Sequence, residues 1–274
     1  MIVFPHAKIN LGLNVVRKRT DGYHDIETVM VPIPLCDALE AVVDAAIAPG
    51  QAAFTRSGLP VNGPLEADLV MRAHALLGAL RPLPGLRLHL HKAIPMGAGL
   101  GGGSSDGAHA LLLLNKLLGL GIGAEELRGL ALRLGSDCPF FLAQGPQLAT
   151  GRGEVLLPVH PPLPGLWLLV VNPGVAVPTA EVYAHVRPTG TGLGLARVLL
   201  EEPVERWRAL APNIMEEHVF RTRPVVAAAC QRLRDAGALH AAMSGSGSTV
   251  FGLFAAEPPA MDWPAGHAAW LFRL

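Results

Sequence analysis

The segment 95–105, with the sequence PMGAGLGGGSS, constrains this chain most strongly, because five of its eleven residues are glycine. It lies between a predicted strand, Leu86–Leu90, and a strongly apolar predicted helix, Asp106–Leu118. Glycine accepts positive φ and lets a ligand approach the backbone closely. A glycine run that ends where a helix begins offers several N–H groups and a positive dipole end to an anion. The pattern therefore predicts a phosphate-binding loop, to which Ser104 and Ser105 could add hydroxyl donors.

Two well-known phosphate-binding patterns do not describe this glycine loop, residues 95–105. The P-loop requires a lysine that the segment lacks. Gly97, Gly99 and Gly102 match G-x-G-x-x-G, but that dinucleotide motif needs a strand after its helix, and a second helix is predicted here over Ala124–Leu134. Two interpretations remain. One is a different, longer phosphate loop, and the other is a tight connection whose glycines only relieve backbone strain.

Composition narrows the class of protein. The 274 residues suit one large or two modest domains, and 50% hydrophobic against 16% charged residues excludes a disordered chain. Lys and Arg number 22, as do Asp and Glu, so no basic excess suggests a nucleic-acid partner. The three cysteines are too scattered for a disulfide framework. No apolar run approaches the roughly 20 residues of a membrane span, and the N-terminus lacks signal-peptide features. We therefore expect a soluble, cytoplasmic protein.

The pattern of predicted elements changes near residue 153. Before it, strands dominate the first third and two helices follow the glycine loop. After it, short helices alternate with strands such as Leu166–Val171 and Thr249–Ala255. We therefore predict two domains, residues 1–153 and 154–274.

Three polar residues stand out from their surroundings. Lys8 lies in an apolar predicted strand, Ala7–Val16, so it either pairs with a carboxylate or phosphate or points to solvent from a strand edge. Asn10 is two residues further and shares that face of the strand. Asp137 follows a helix end in a Gly-Ser-Asp turn. Its local sequence favours a helix cap over a catalytic carboxylate.

Six sequence motifs together resemble one family. Besides the glycine loop, they are AKINLGLNV at 7–15, DGYH at 21–24, LGSDCPFF at 134–141, NPGVAVPTAEVY at 172–183 and SGSGSTVFGLF at 244–254. In this order they resemble the GHMP small-molecule kinases, a superfamily that includes galactokinase and the homoserine, mevalonate and phosphomevalonate kinases. The match is closer to the members that act in non-mevalonate isoprenoid biosynthesis, whose substrate carries a cytidine diphosphate group.

The resemblance implies an α+β, two-domain GHMP kinase fold. Its N-terminal domain would be ribosomal protein S5 domain 2-like and bind ATP, and its C-terminal domain would be ferredoxin-like. The implied reaction is transfer of the γ-phosphate of ATP to a hydroxyl, with Mg²⁺ accompanying ATP. The implied partner is a small-molecule substrate, and neither a nucleic acid nor a membrane is implied. The protein itself would be a monomer or a weak dimer.

The resemblance also assigns roles to particular residues. Asp137 becomes the catalytic base and Lys8 its partner, which reverses the preference for a cap. Substrate binding falls to Asn10, Tyr23, His24, Thr179 and Tyr183, with the Tyr23–His24 pair recognising the cytidine base. Without the resemblance, ordinary packing, capping or surface roles are favoured for these residues. Ser105 is a candidate Mg²⁺ contact. The implied ATP-binding residues are Lys92, Pro95, Met96, Gly97, Ala98, Gly99, Leu100, Gly101, Gly102, Gly103, Ser104 and Ser105.

One position departs from the family pattern. Relatives carry an Asn-Leu pair near the adenine, and this chain has Asp68-Leu69. A carboxylate accepts hydrogen bonds but cannot donate them, so adenine contacts at this position do not carry over.

Three other functions are weighed against this kinase. They are a GHMP kinase for another small alcohol, an inactive nucleotide-binding sensor on the same fold, and an anion-binding structural protein. The Tyr23–His24 pair argues against the first, Lys8 with Asp137 against the second, and the ordered motifs against the third.

Overall fold

The computed structural model describes residues 1–274, and they pack into two compact units. The first unit comprises Met1–Ala7, Ile33–Met96 and Gly101–Gln144, and the second comprises Lys8–Pro32, Gly97–Leu100 and Gly145–Leu274. The strands are β1 (Ile2–Val3), β2 (His6–Lys18), β3 (His24–Cys36), β4 (Ala38–Val43), β5 (Ala52–Gly58), β6 (Leu86–Lys92), β7 (Gln147–Gly151), β8 (Val155–Pro158), β9 (Trp167–Asn172), β10 (His240–Met243), β11 (Val250–Phe254) and β12 (Ala268–Arg273). The α-helices are α1 (Leu69–Gly78), α2 (Gly102–Leu117), α3 (Ala124–Leu134), α4 (Thr179–His185), α5 (Leu195–Glu201), α6 (Trp207–Leu210), α7 (Glu216–Thr222) and α8 (Pro224–Asp235), and short 3₁₀ helices cover Leu65–Ala67, Cys138–Leu142 and Val204–Arg206.

The first unit places helices on a four-stranded mixed sheet. The strand order is β1-β4-β6-β5, in which β4 pairs antiparallel and β5 parallel with β6. Alternate residues of β6 are buried, as expected for a strand with one covered face. Helices α1, α2 and α3 pack on one another, and α2 also packs against β4. A Cβ at Gly107 would lie 2.8 Å from Cβ of Leu69, so this glycine permits the close approach of α2 to α1.

Two predicted helices of this unit have different starts in the structure. Apolar residues at helical spacing over residues 65–80 predict one helix there. The structure instead has a 3₁₀ turn followed by α1, because the Asp68 carboxylate caps α1 by accepting the Val70 N–H at 3.0 Å. Helix α2 begins at Gly102 rather than Asp106, so the end of the glycine loop is already helical. Helix α3 has its predicted bounds.

The second unit contains two four-stranded sheets. One has the order β2-β3-β7-β8. The other has the order β10-β11-β9-β12, with every neighbouring pair antiparallel, and α7 and α8 belong to the hydrophobic core built beside it. This second sheet is the predicted ferredoxin-like arrangement, although the connection 255–267 contains no helix. The α+β class is therefore confirmed, whereas the boundary at residue 153 stays a prediction.

A buried imidazole makes the stability of the second unit depend on pH. Both ring nitrogens of His240 are buried without a hydrogen-bond partner, and burial lowers its pKa to about 4. An unfolded chain takes up this proton near pH 6.5, so the free energy of unfolding should fall as the pH drops from 6.5 to 4. We expect His240→Leu to remove about 3 kcal/mol of that dependence, measured by urea unfolding at several pH values. The matched variant His160→Leu alters an exposed imidazole and should keep the wild-type dependence. An unchanged profile in His240→Leu would contradict the assignment.

No helix of the protein has the length and apolar character that crossing a bilayer requires.

Candidate active site

The middle of the glycine loop has alternating backbone conformations. Gly97, Gly99 and Gly101 have φ of +62°, +80° and +71°, and no non-glycine residue of the chain has positive φ. Alternation of this kind turns successive N–H groups toward one side and forms an anion-binding concavity. Glycine is favoured at these positions because other residues avoid positive φ.

Three consecutive carbonyls of this loop are held within the second unit. The Ala98 carbonyl accepts the Thr249 N–H at 3.2 Å, and the Leu100 carbonyl accepts the Lys8 N–H at 3.0 Å. Between them, the Gly99 carbonyl accepts the Ser244 hydroxyl at 2.8 Å. Fixing the carbonyls on one side leaves the N–H side for a ligand. The connection 244–249 thus joins β10 to β11 and also supports the glycine loop.

The contact at Gly99 is tight. A Cβ there would lie 2.0 Å from the Ser244 carbonyl oxygen, which is far inside van der Waals contact. At Gly97 a Cβ would meet nothing within 4 Å. Space therefore excludes a side chain at Gly99, whereas only φ disfavours one at Gly97.

The start of α2 offers further donors. Gly101 precedes the helix without a side-chain cap, and the first helical hydrogen bond runs from the Ser105 N–H to the Gly101 carbonyl at 2.9 Å. The N–H groups of Gly102, Gly103 and Ser104 consequently have no acceptor inside the helix. They lie at its positive dipole end, where a phosphate is favoured.

The Ser105 hydroxyl does not suit the predicted Mg²⁺ contact. Ser105 is fully buried, and its Oγ lies 3.3 Å from Nδ1 of His109, which is 2.9 Å from the Ser105 carbonyl oxygen. Burial lowers the pKa of His109 to about 4, so this ring is neutral. No group of three acidic, histidine or cysteine side chains could hold a metal. The protein therefore offers no three-ligand metal cage, and the Ser105 contact to Mg²⁺ stays a prediction.

Lys8 lies in the buried part of β2. Only 4% of it is exposed, so the interpretation as a solvent-facing lysine is wrong. Its Nζ donates to Oδ1 of Asn10 at 2.6 Å, and Nδ2 of Asn10 donates to Oγ1 of Thr28 at 3.0 Å. The Thr28 hydroxyl in turn donates to the Gly12 carbonyl at 2.6 Å. This chain of hydrogen bonds fixes Asn10 and, through it, the Lys8 ammonium.

Asp137 directly precedes the 3₁₀ helix Cys138–Leu142, and its side chain makes no capping hydrogen bond. The capping interpretation, which local sequence favours, thus has no structural support. The adjacent residue Cys138 is buried, and burial raises the pKa of its thiol to about 12, so this thiol is unreactive. Asp137 lies in the first unit and Lys8 in the second, and their catalytic pairing stays a prediction.

Several predicted substrate residues meet within the second unit. The rings of His24 and Tyr183 stack with centroids 5.0 Å apart, and the hydroxyls of Thr179 and Ser246 are 2.9 Å apart. Tyr23 is 53% exposed. Burial, followed by the charge of Lys18, lowers the pKa of His24, so the neutral ring has one donor and one acceptor nitrogen at neutral pH.

Sequence reasoning missed Arg152, whose guanidinium carbon lies 4.9 Å from the centre of the Tyr23 ring. Its Nε donates to Oε1 of Glu154 at 3.2 Å. The turn between β7 and β8 places both residues. The Gly-Arg-Gly-Glu sequence of that turn is the one signal from which these two residues could have been predicted as part of the site.

Lys92 and Asp68 use their side chains for contacts within the first unit. The Lys92 ammonium is enclosed between the carboxylates of Asp37 and Asp106. Its role as an ATP-binding residue stays a prediction, but the charged end of its side chain points to these two carboxylates. Asp68 caps α1 and also approaches Nη1 of Arg56 at 3.4 Å, so both of its carboxylate oxygens have partners.

Comparisons with known proteins agree with this geometry. The family models described as "GHMP kinases N terminal domain" and "GHMP kinases C terminal" match residues 68–145 and 196–261. The chain belongs to the GHMP kinase family, so it is a small-molecule kinase that uses ATP as co-substrate. Within that family it groups with the 4-diphosphocytidyl-2-C-methyl-D-erythritol kinases.

Three relatives support this grouping. The chain is 48% identical to 4-diphosphocytidyl-2-C-methyl-D-erythritol kinase of Parabacteroides distasonis, covering 93% of this chain and 92% of that protein. It is 43% identical to the enzyme of the same name from Bacteroides fragilis, covering 94% and 93%. A crystal structure of 4-(cytidine 5'-diphospho)-2C-methyl-D-erythritol kinase matches with a TM-score of 0.75 and 36% identity, covering 92% of this chain and 90% of that one.

Proposed function

We propose that the protein transfers the γ-phosphate of ATP to the 2-hydroxyl of 4-diphosphocytidyl-2-C-methyl-D-erythritol, in non-mevalonate isoprenoid precursor biosynthesis. The observation that carries this proposal is the glycine loop, whose three carbonyls are held on one side while its N–H groups and the start of α2 remain for phosphates. The relatives named above support this particular alcohol as the phosphate acceptor. We expect a cytoplasmic monomer or weak dimer whose partner is this small molecule alone.

Phosphoryl transfer needs positioned phosphates, neutralised charge and an acceptor for the hydroxyl proton. In this proposal the glycine loop binds the triphosphate through its N–H groups. Asp137 accepts the hydroxyl proton as the oxygen attacks the γ-phosphorus and ADP leaves. The Lys8 ammonium, fixed by Asn10, orients the substrate hydroxyl and stabilises the developing negative charge. Mg²⁺ would arrive on the ATP phosphates and neutralise part of their charge.

Recognition of the cytidine is assigned to side chains of the second unit. The exposed ring of Tyr23 offers a face for stacking on the base, and the neutral His24 ring can hydrogen-bond its edge. Tyr183 holds His24 by stacking, which supports the orientation that such hydrogen bonds need. Thr179 lies beside Ser246, next to the connection that holds the glycine loop.

The proposed reaction is tested by ADP release from ATP and Mg²⁺, with and without the diphosphocytidyl substrate. We expect release that depends on the substrate. If ATP binds but the substrate causes no release, the acceptor is another alcohol or the protein is a nucleotide sensor. A screen of small alcohols separates those two outcomes.

Tyr23→Ala should raise KM for the diphosphocytidyl substrate by about 5- to 150-fold, because stacking of a base on an aromatic ring contributes about 1–3 kcal/mol. The kcat and the KM for ATP should stay within about twofold, since Tyr23 is assigned to cytidine binding alone. Steady-state kinetics measure both, and Tyr23→Phe, which keeps the ring, should resemble the wild type. An unchanged KM for the substrate in Tyr23→Ala would refute the stacking role.

A further inference from the structure

Three ionisable side chains form a buried triad at the base of the glycine loop, all within the first unit. Nζ of Lys92 donates to Oδ2 of Asp106 at 2.6 Å and also to Oδ2 of Asp37. The three side chains are 0–3% exposed. They come from the junction of β3 and β4, from the last residue of β6 and from the second turn of α2.

The triad ties together the two ends of the glycine loop. The second oxygen of Asp37 accepts the N–H groups of Ala93 at 2.6 Å and Ile94 at 2.8 Å, which are the first two residues after β6. Asp106 belongs to α2, where the loop ends. A single ammonium, that of Lys92, therefore links the departure of the chain from β6 to its entry into α2.

Close packing at Gly102 shows how tightly these ends meet. A Cβ on Gly102 would lie 2.9 Å from Cγ2 of Ile94 and 3.3 Å from Nζ of Lys92. The first residue of α2 thus lies against both the loop entry and the triad. A change in the length or direction of the Lys92–Asp106 bond would shift the first turn of α2.

Stability alone does not account for the triad. It has two carboxylates for one ammonium, and Oδ1 of Asp106 is buried without a partner. A buried carboxylate oxygen that lacks a hydrogen bond destabilises the fold, and apolar residues often replace buried ion pairs without loss. The Asp106 carboxylate holds α2 to Lys92 in spite of this cost. Positioning of α2 therefore explains the triad better than a gain in stability does.

We propose that Asp37, Lys92 and Asp106 are positioning residues that set the direction in which the first-turn N–H groups of α2 meet the phosphates of ATP. The proposal rests on the proposed use of ATP by the glycine loop. None of the three side chains touches the nucleotide in this role, since each is enclosed in protein.

Asp106→Ala tests the proposal most directly, because it removes the link to α2 and leaves the Lys92–Asp37 pair intact. We expect the Kd and the KM for ATP to rise about tenfold or more, as small misplacements of binding groups do. The KM for the alcohol should stay within about twofold. Asp106→Asn keeps an acceptor for Lys92 and should restore ATP binding to within about threefold. If Asp106→Ala does not fold, Asp106→Ser replaces it with the same expectations.

Leu77→Ala is the matched control, since Leu77 is buried in α1 of the same unit and belongs to neither the loop nor the triad. It should lower the melting temperature without changing the Kd for ATP, measured by titration calorimetry with ATP and Mg²⁺. An Asp106→Ala protein that binds ATP like the wild type would overturn the proposal. So would a shift in Kd that Leu77→Ala reproduces. An inactive wild type that still binds ATP would instead refute the proposed reaction and leave the triad proposal standing.

Discussion

Replacing Asp137 with alanine is expected to lower kcat by about 10²- to 10⁴-fold or more, because general-base catalysis contributes about that much. The Kd for ATP should change little, since the phosphates are assigned to backbone N–H groups of the glycine loop. Turnover is measured by substrate-dependent ADP release and ATP binding by calorimetry. Turnover at the wild-type rate in this variant would refute the assignment of Asp137 as the base.

Two further variants separate catalysis from structure at this position. Asp137→Asn keeps the shape of the side chain but cannot accept the proton, so it should be as inactive as Asp137→Ala. Because the Asp137 side chain makes no capping hydrogen bond, neither variant should lose the roughly 1 kcal/mol that removal of a helix cap costs. A loss of that size together with normal turnover would restore the capping interpretation.

Gly99→Ala is expected to disrupt the glycine loop, whereas Gly97→Ala should be tolerated. Both glycines have positive φ, which costs an alanine about 1–2 kcal/mol. At Gly99 the added methyl would also lie 2.0 Å from the Ser244 carbonyl oxygen, so the loop or the 244–249 connection must move. We expect Gly99→Ala to destabilise the protein by at least about 3 kcal/mol, or to abolish ATP binding through a displaced loop.

The matched pair makes the Gly99 result interpretable. Gly97→Ala has the same backbone strain and free space for its methyl group, so it should cost about 1 kcal/mol and keep measurable ATP binding. Urea unfolding and calorimetry on both proteins measure these effects. Equal behaviour of the two variants would mean that backbone strain, and not the contact with Ser244, limits substitution in this loop.

Local sequence patterns predicted the elements that carry strong periodicity. Helix α3 has the bounds expected from its apolar spacing. Strands β5 and β8 were missed, because strands with few buried residues give little alternation. Strand β7 was missed although buried and half-buried residues alternate along it. The start of α2 was placed too late because two of its first residues, Gly102 and Gly103, are poor helix formers whose position is set by tertiary packing.

For the candidate site, too, local features could be predicted from the sequence and features that depend on the folded chain could not. The glycine loop could be read from composition because its chemistry is local. The triad could not, since Asp37, Lys92 and Asp106 are distant in sequence and only the folded chain brings them together. Ser105 belongs to the motif, but its hydroxyl turns inward beside His109, one helical turn away. A sequence motif does not reveal the direction in which such a side chain points.

The interleaving of the two units restricts how this enzyme could have arisen and how it can be divided. The chain passes between the units five times, at 7/8, 32/33, 96/97, 100/101 and 144/145. A gene fragment ending near residue 153 would therefore encode the whole of the first unit together with separate pieces of the second. The second unit would lose Lys8–Pro32 and the four residues Gly97–Leu100. Exchange of contiguous gene segments at that position would therefore leave the first unit whole and divide the second.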